Sequence, residues 1–200
     1  MMSHFYDIIE GGFEKEYRAM GVEQLEVNTG DKILEIGFGT GDVLIDLGEF
    51  TGSKGEVVGI DISTGMASKS KTKLEKEGST DKISLICGDA MEMPFKDEFF
   101  DKVYMSFTLE LFDTPNIPKV IKEIKRVLKV GGKIGLVSLS KEERLLVDIY
   151  EFFHDLFPVL IDCRPIYAED ILKESGFKIH KNIKERIIGL PINILVAERT

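Results

Sequence analysis

The chain has 200 residues, a length that corresponds to one domain with a sizeable core. Hydrophobic residues make up 43% and charged residues 30%, which is the composition of a folded globular protein rather than a disordered one. With 26 basic and 35 acidic residues, the formal charge is −9. A negative field of this size disfavours binding to a phosphate polymer, so we expect no nucleic-acid partner.

Cysteine usage and hydropathy indicate a cytoplasmic protein. Cys87 and Cys163 lie far apart in the sequence, without the spacing of a disulfide framework or a zinc site, so no metal is expected. No apolar run is long enough to span a membrane, and residues 1–20 lack the apolar stretch of a signal peptide. The sequence therefore predicts a protein that is neither stably inserted in a membrane nor exported. It does not indicate the oligomeric state.

Strands and helices alternate along most of the chain. The predicted strands are 32–37, 56–62, 83–87, 102–107 and 133–139, and the predicted helices are 40–49, 64–77 and 117–129. The last of these helices is expected to stop at Gly131-Gly132, where a left-handed residue can close it. This alternation predicts a doubly wound α/β fold with a mostly parallel sheet and right-handed crossovers.

The end of the chain has a different pattern. After a short helix near 168–175, the segments 177–187 and 192–197 are predicted to be strands, joined by Gly189-Leu190-Pro191. That joint is too short for a parallel crossover. If the two strands pair with each other, they must therefore pair antiparallel.

A glycine-rich turn follows the first strand, with Gly37, Gly39 and Gly41 in the run LEIGFGTG. Glycines let the backbone turn sharply and approach a ligand closely, beside the free N–H groups of the next helix start. A dinucleotide-binding fingerprint would have a further glycine at position 42, which is Asp42. Its carboxylate would repel a pyrophosphate, so the turn suits a ligand without phosphates. A simple strand-to-helix connection is the alternative.

The second and third strands end in acidic residues. Asp61 lies 20 residues after the last glycine of the turn and could accept hydrogen bonds from both ribose hydroxyls of a nucleoside, with Ile62 and Met66 against the adenine face. Asp89, followed by Ala90, could accept from an exocyclic amine. The alternatives are that the aspartates only cap helices and that Met66 belongs to the core.

With these motifs the sequence resembles the class I S-adenosylmethionine-dependent methyltransferases, in particular the group that includes ubiquinone and menaquinone C-methyltransferases. The resemblance runs from about 31 to 135 and includes 93–101 and 127–132, where Val130 replaces the usual proline. It implies S-adenosylmethionine as the cofactor and a seven-stranded sheet in the order 3-2-1-4-5-7-6. We expect one methyltransferase domain over 1–200, with an N-terminal helical segment at 1–30 and a helical lid or insert at 141–166.

The resemblance also assigns residues to the cofactor site. Glu35 would help to fix the glycine turn, and Ser106 and Phe107 would lie beside the transferring methyl group. The predicted cofactor-binding residues are Glu35, Gly37, Gly39, Gly41, Asp61, Ile62, Met66, Asp89, Ala90, Ser106 and Phe107.

No catalytic residue is assigned. A sulfonium methyl group is already activated, so the protein mainly has to hold a nucleophile in line with it. Where a base is needed, the candidates are Glu110, His154 and Tyr167. Glu110 follows the fourth strand, where ligands of open α/β sheets collect, and the related enzymes often have His or Arg in this neighbourhood. The alternative for Glu110 is a solvated carboxylate at a helix start.

An aromatic-rich helix face indicates an apolar acceptor. Over 145–157 apolar residues recur at helical spacing, and this face, which includes Phe153, is expected either to pack in the core or to line a pocket. Arg164 could meet an anionic group of the acceptor, and Tyr6 and Tyr17 could fold over the site. We expect the acceptor to be a small, largely apolar molecule, such as a quinone-like ring or a lipid precursor.

Other functions remain open on the sequence alone. One is a catalytically silent cofactor-binding or interaction protein on the same fold. Another is a nicotinamide oxidoreductase, which Asp42 disfavours. Metalloid methylation would require more clustered thiols than two cysteines supply.

Overall fold

The structure is a computed structural model that describes residues 3–141, 164–187 and 189–200, with side chains described from residue 14 onward. The helices are α1 (Ser3–Leu25), α2 (Asp42–Thr51), α3 (Thr64–Glu77), α4 (Ile117–Val127) and α5 (Ala168–Glu174). The strands are β1 (Lys32–Ile36), β2 (Glu56–Asp61), β3 (Ile83–Cys87), β4 (Phe100–Ser106), β5 (Leu128–Leu139), β6 (Phe177–Ile187) and β7 (Leu190–Arg199).

The strands form one seven-stranded sheet in the order β3-β2-β1-β4-β5-β7-β6. The first five strands are parallel, and β7 lies antiparallel between β5 and β6. This confirms the doubly wound α/β fold and the strand order that the resemblance implies. We call the edge where β1 to β5 end the carboxyl edge, and the edge where they begin the amino edge.

Both faces of the sheet are covered. On one face Met105 of β4 packs with Ile121 of α4 and Leu172 of α5, and all three side chains are fully buried. On the other face Tyr104 of β4 packs with Leu25 of α1. Alternate residues of a strand point to opposite faces, so strands covered on both sides need apolar residues at nearly every position.

The predicted end of the fourth helix was wrong. Helix α4 ends at Val127, and Leu128 is fully buried in β5 and pairs with Phe100 of β4. Burial of Leu128 in the sheet therefore ends the helix before the glycine pair is reached. Gly131, with a φ of +76°, lies instead within β5, where the pairing register with β4 shifts.

Helix α1 falls in the N-terminal helical segment predicted at 1–30. It packs on the sheet through side chains such as Val22 and Leu25. Although α1 has 23 residues, neither it nor any other helix of the described chain is apolar and long enough to cross a membrane.

Part of the predicted acceptor site lies outside the described residues. This applies to 142–163, most of the predicted lid at 141–166, with Phe153 and the base candidate His154. It applies also to the side chain of Tyr6.

Candidate functional site

The glycine turn between β1 and α2 is held by backbone hydrogen bonds. The amide of Gly37 donates to the carbonyl of Ile60 in β2 at 2.8 Å, and the amide of Gly41 donates to the carbonyl of Phe38 at 2.8 Å. Gly37, Gly39 and Gly41 have φ angles of +73°, +50° and +82°, a region in which other residues are strained. The turn thus requires glycine at all three positions.

The space around the three glycines differs. A Cβ atom on Gly37 would lie 2.3 Å from Thr108 Cγ2, and one on Gly41 would lie 2.7 Å from Ser70 Oγ. A Cβ atom on Gly39 would meet nothing within 4 Å. Gly37 and Gly41 therefore allow close packing within the protein, whereas Gly39 faces open space that a ligand could occupy.

Asp61, at the end of β2, is tied to the glycine turn. Its Oδ2 accepts from the amide of Gly39 at 2.9 Å, and its Oδ1 accepts from the amide of Ser63 at 2.8 Å. The N-cap of α3 is Ser63, whose Oγ accepts from the amide of Met66 at 3.3 Å, so Asp61 is not the helix cap. Each carboxylate oxygen can accept more than one hydrogen bond, so Asp61 can still bind a ligand hydroxyl.

The end of β3 adjoins Asp61. The amide of Gly88 donates to the carbonyl of Asp61 at 3.0 Å, which places Asp89 and Ala90 next to the end of β2. Oδ1 of Asp89 accepts from the amide of Met91 at 2.8 Å, so a local turn accounts for this oxygen. No donor among the described residues reaches its Oδ2. Ala90 is buried in the core, so its contact with a cofactor stays a prediction.

An apolar surface lies beside these polar groups. Ile62, directly after β2, is 74% exposed, an unusual situation for a large apolar side chain. Met66, in the first turn of α3, is half-buried. The two residues border the end of β2 where Asp61 lies, as the sequence predicted.

The end of β4 is strained. Phe107 is buried and has a φ of +48°, and its amide donates to the carbonyl of Val137 at 2.8 Å. Oγ1 of Thr108 donates to the carbonyl of Ser106 at 2.9 Å. A left-handed residue other than glycine costs about 1–3 kcal/mol, and such residues cluster at functional sites. Two glutamates near the amino edge also have positive φ angles, so strain alone does not mark a site. Ser106 and Phe107 lie at the carboxyl edge, next to the glycine turn that Thr108 contacts.

Glu35 is a buried carboxyl group in β1, only 2% exposed. Burial raises its pKa to about 8, although the positive charge of Arg18 acts in the opposite direction. No described residue forms a hydrogen bond with its Oε2. A role for Glu35 in fixing the glycine turn stays a prediction.

Glu110 is also buried, so its interpretation as a solvated helix-start carboxylate was wrong. It lies in a short 3-10 turn, Leu109–Leu111, that follows β4, and it is 2% exposed. Oε1 accepts from the amide of Leu139 at 3.0 Å, and Oε2 is buried with no partner in the part of the chain that the structure describes. Burial raises the pKa of Glu110 to about 8. The hydrogen bond to the end of β5 draws this side chain inward, which no sequence pattern indicates.

The other residues that were predicted to act on the methyl acceptor are Arg164, Tyr17 and Tyr167, and they lie in three separate environments. The amide of Arg164 lies 3.5 Å from the carbonyl of Glu110, and the Arg164 side chain is exposed. The hydroxyl of Tyr17 donates to the carbonyl of Arg186 at 2.8 Å, which fastens α1 to β6. Tyr167 is 42% exposed, directly before α5. The structure thus brings Arg164 to Glu110, and acceptor roles for Tyr17 and Arg164 stay predictions.

Two residues of the site were missed by sequence reasoning. Ser70 of α3 donates from Oγ to the carbonyl of Gly39 at 2.9 Å, and Thr108 fills the space above Gly37. A lone serine in a helix and a threonine after a strand carry no motif. Only the packing of α3 and β4 around the glycine turn shows their role.

Asp42 carries a negative charge beside the glycine turn. Burial alone would raise its pKa, but an ion pair with Lys73 and a hydrogen bond from Thr40 lower the pKa below its usual value. Asp42, the first residue of α2, is therefore an ionised carboxylate. Its negative charge would repel a phosphate group bound at this helix start.

The polar strand ends form a candidate ligand site at the carboxyl edge of a doubly wound α/β sheet, where sheets of this class bind their ligands. Residues 3–173 match the model of the ubiE/COQ5 methyltransferase family. The chain belongs to this family, and its resemblance to the quinone-biosynthesis group of class I methyltransferases is thereby confirmed.

The chain is similar in sequence to several demethylmenaquinone methyltransferases. That of Lactobacillus johnsonii is 33% identical over 153 residues, covering 76% of this chain and 62% of the relative. That of Bacillus pumilus is 36% identical over 147 residues, covering 72% of this chain and 62% of the relative. This chain thus spans less than two thirds of the length of these relatives.

Solved structures share the fold at low sequence identity. A SAM-dependent methyltransferase from Aquifex aeolicus aligns with a TM-score of 0.69 and 21% identity, covering 90% of this chain and 89% of the other. A geranyl diphosphate C-methyltransferase from Streptomyces coelicolor aligns with a TM-score of 0.77 and 12% identity, covering 94% of this chain and 79% of the other.

Proposed function

We propose that this chain binds S-adenosylmethionine at the carboxyl edge and transfers its methyl group to a small, largely apolar molecule. The observation that carries the proposal is the continuous series of hydrogen bonds along this edge. Asp61 accepts from Gly39 at the end of β1, and Gly88 at the end of β3 donates to Asp61. These contacts join three polar strand ends into one site, which is much more specific than any of the motifs alone.

The residues at this edge fit the proposed cofactor. Asp61 would accept from the ribose hydroxyls, and the second carboxylate oxygen of Asp89 would accept from the adenine amine. The exposed side chain of Ile62 and the half-buried Met66 offer apolar contact to the adenine. Gly39 leaves room for the methionine part of the ligand.

The chemistry places modest demands on the protein. When bound, the cofactor supplies a methyl group on a positively charged sulfur, which is already activated for transfer. The residues around Ser106 and Phe107 would then hold the acceptor's nucleophile in line with that methyl group. Positioning of this kind contributes up to about 7–11 kcal/mol to lowering a barrier. The strained Phe107 backbone supports a site held in one geometry.

A quinone-like ring is the acceptor class that we favour. Two of the similar proteins bear the name demethylmenaquinone methyltransferase. The formal charge of −9 disfavours nucleic acids as acceptors, and the apolar helical pattern of 145–157 suits a small apolar molecule. We also infer a cytoplasmic location and a single methyltransferase domain over 1–200. A catalytically silent protein and a nicotinamide oxidoreductase are outcomes of the tests below.

Calorimetric titration tests the cofactor. We expect S-adenosylhomocysteine to bind and NAD not to bind, because Asp42 is ionised where a pyrophosphate would lie. NAD binding without S-adenosylhomocysteine binding would make the protein an oxidoreductase. Incubation with methyl-labelled cofactor and cell extract then tests catalysis. Cofactor binding without label transfer to any fraction would favour the silent alternative.

The substitution Phe153→Ala tests the apolar acceptor. If 145–157 lines the acceptor pocket, KM for the labelled acceptor should rise while affinity for S-adenosylhomocysteine and thermal stability stay constant. An unchanged KM would assign this helix face to the core.

A further inference from the structure

Glu110 combines burial with an unsatisfied oxygen. The carboxyl group is 2% exposed, and the amide of Leu139 occupies Oε1 at 3.0 Å. Oε2 has no partner. A buried polar atom without a hydrogen bond costs about 1–3 kcal/mol, so folded proteins retain few of them. A ligand that completes this hydrogen bond would remove the cost.

Among the described residues, no cation is paired with Glu110 to hold it ionised. The described charge that acts on it is the carboxylate of Glu14 on α1, which is itself paired with Arg18. Arg164 approaches Glu110 only with its backbone amide, and its side chain is exposed. Burial and a like charge both favour the neutral carboxyl and raise its pKa to about 8. Glu110 can therefore both donate and accept a proton near neutral pH.

The geometry also determines which ligand group can pair with Oε2. Because Oε1 accepts from an amide, Oε2 carries the proton when Glu110 is neutral and needs an acceptor. When Glu110 is ionised, Oε2 needs a donor. A hydroxyl group meets both requirements, whereas an anionic oxygen would face the carboxylates of Glu110 and Glu14.

The position of Glu110 is suitable for contact with the methyl acceptor. It lies three residues after Phe107, at the carboxyl edge where β4 and β5 end. Parallel α/β sheets bind their ligands outside this edge. Resting on the proposed methyl transfer, we propose that Oε2 of Glu110 accepts the proton of a phenolic or enolic hydroxyl on the methyl acceptor.

This step balances whether the hydroxyl oxygen or a ring carbon of the acceptor attacks the methyl group. The hydroxyl proton passes to Oε2 while an electron pair of the acceptor forms the bond to the methyl carbon, and sulfur keeps the pair of the broken bond. If the oxygen is the attacking atom, methyl transfer is then complete. After attack by a ring carbon, that carbon loses its proton and the hydroxyl recovers a proton from Oε2. One proton is released per methyl group transferred in either case.

A base is most effective when its pKa is near the working pH. The raised pKa of Glu110 meets that condition, while an exposed carboxylate would be too weak.

Binding of two probes tests the proposal without turnover. The probes are 2-naphthol and naphthalene, which differ by one hydroxyl, measured by ligand-detected NMR with saturating S-adenosylhomocysteine. We expect the wild type to bind 2-naphthol about tenfold or more tightly than naphthalene. In Glu110→Leu this preference should fall to about twofold or less. Equal affinity of the wild type for both probes, absence of 2-naphthol binding, or a preference that survives in Glu110→Leu would each overturn the proposal.

Controls separate this proposal from the proposed function and from misfolding. Glu56→Gln removes an exposed carboxylate at the amino end of β2 and should retain the full preference. In the wild type, the affinity for 2-naphthol should rise between pH 6 and about 9 as Glu110 ionises, because a hydroxyl donates a stronger hydrogen bond to a charged oxygen than to a neutral one. If Glu110→Leu does not fold, Glu110→Gln keeps the shape of the side chain and the bond to Leu139, and it should remove this rise. A persisting pH dependence would overturn the proposal. Failure of S-adenosylhomocysteine to bind would instead refute the proposed function.

Discussion

The two edges of the sheet differ in how their polar groups are paired. At the amino edge, the buried ammonium of Lys102 donates to the carbonyls of Leu25 and Glu26 and pairs with Asp31 at 3.2 Å. At the carboxyl edge, one oxygen each of the acidic side chains Glu35 and Glu110 is buried without a partner among the described residues, whereas the unpartnered atom at the amino edge is Nε of Arg199, a side chain whose other nitrogens bond to Leu128 and Glu98. Paired charges hold the fold together, whereas unpaired buried groups are the places where a ligand can add contacts.

The pKa values of buried and paired carboxyl groups also differ between the two edges of the sheet. Hydrogen bonds from Lys181 and Lys133, with their charges, lower the pKa of Glu26 at the amino edge to about 2. Burial without a cation at hydrogen-bond distance raises the pKa values of Glu35 and Glu110 to about 8. The same residue type is thus a permanent anion at one edge and a titrating acid at the other.

Loss of Lys102 should have the largest effect on stability. Lys102→Met would remove the ammonium from Asp31 and from two carbonyl groups, leaving Asp31 with only the amide of Asn28, and breaking a buried pair from one side costs about 3–5 kcal/mol. We expect a loss of this size in the free energy of unfolding, measured with urea, and unchanged affinity for S-adenosylhomocysteine. Lys129→Met, which breaks a partly exposed pair with Asp101, should cost about 1 kcal/mol or less. Equal losses in the two variants would contradict the contrast between buried and exposed pairs.

Glu110 should make stability depend on pH. Its pKa is 4.5 in the unfolded chain and about 8 in the folded one, so the folded protein binds the extra proton. The resulting stabilisation is complete below pH 4.5 and is lost as the pH rises through 8. Relative to Glu110→Gln, the wild type should lose on the order of 1.4 kcal/mol per pH unit between pH 5.5 and 7.5.

Urea unfolding at several pH values measures this loss. Glu26→Gln serves as the control from the other edge, because a group with a pKa of about 2 does not titrate in this range. Parallel pH profiles for the wild type and Glu110→Gln would show that Glu110 is ionised in the folded protein.

Asp61 should matter for the ligand more than for the fold. Hydrogen bonds to a charged group contribute about 1.5–3 kcal/mol, so Asp61→Ala should weaken S-adenosylhomocysteine binding by roughly 10- to 150-fold. Calorimetric titration measures the change. Glu56→Ala, at the amino end of the same strand, should leave the dissociation constant unchanged. If Asp61→Ala also left it unchanged, Asp61 would serve only to hold Gly39 and Ser63.

Alanine substitutions at two glycines should have the smallest effect on stability, and they compare the two edges most directly. Gly39 and Gly131 both have positive φ and open space around an added Cβ atom, and they lie at opposite edges. Alanine at either position should cost about 1–2 kcal/mol of stability because of the strained backbone. Only Gly39→Ala should also reduce affinity for S-adenosylhomocysteine. A similar reduction in Gly131→Ala would mean that the affinity loss reflects destabilisation alone.

Much of the fold follows from local patterns in the sequence. Helix α3 and strands β3 and β6 have the predicted bounds, because apolar periodicity and flanking glycines act within a few residues. The glycine spacing and the aspartates after β2 and β3 likewise marked the carboxyl edge, since parallel strands all end there. The insertion of β7 between β5 and β6 was implied by family resemblance and not by any local pattern.

The tertiary structure decided the features that depend on distant residues. Leu128 belongs to a strand because Phe100 lies beside it, so α4 ends earlier than its helical pattern predicts. Glu110 is a buried acid because the amide of Leu139, 29 positions away in the chain, draws it inward. Ionisation and burial depend on which groups surround a side chain, and those groups come from separate parts of the sequence. Sequence patterns could therefore predict that the glycine turn and the aspartates lie at one edge of the sheet, but not the protonation of the carboxyl groups there.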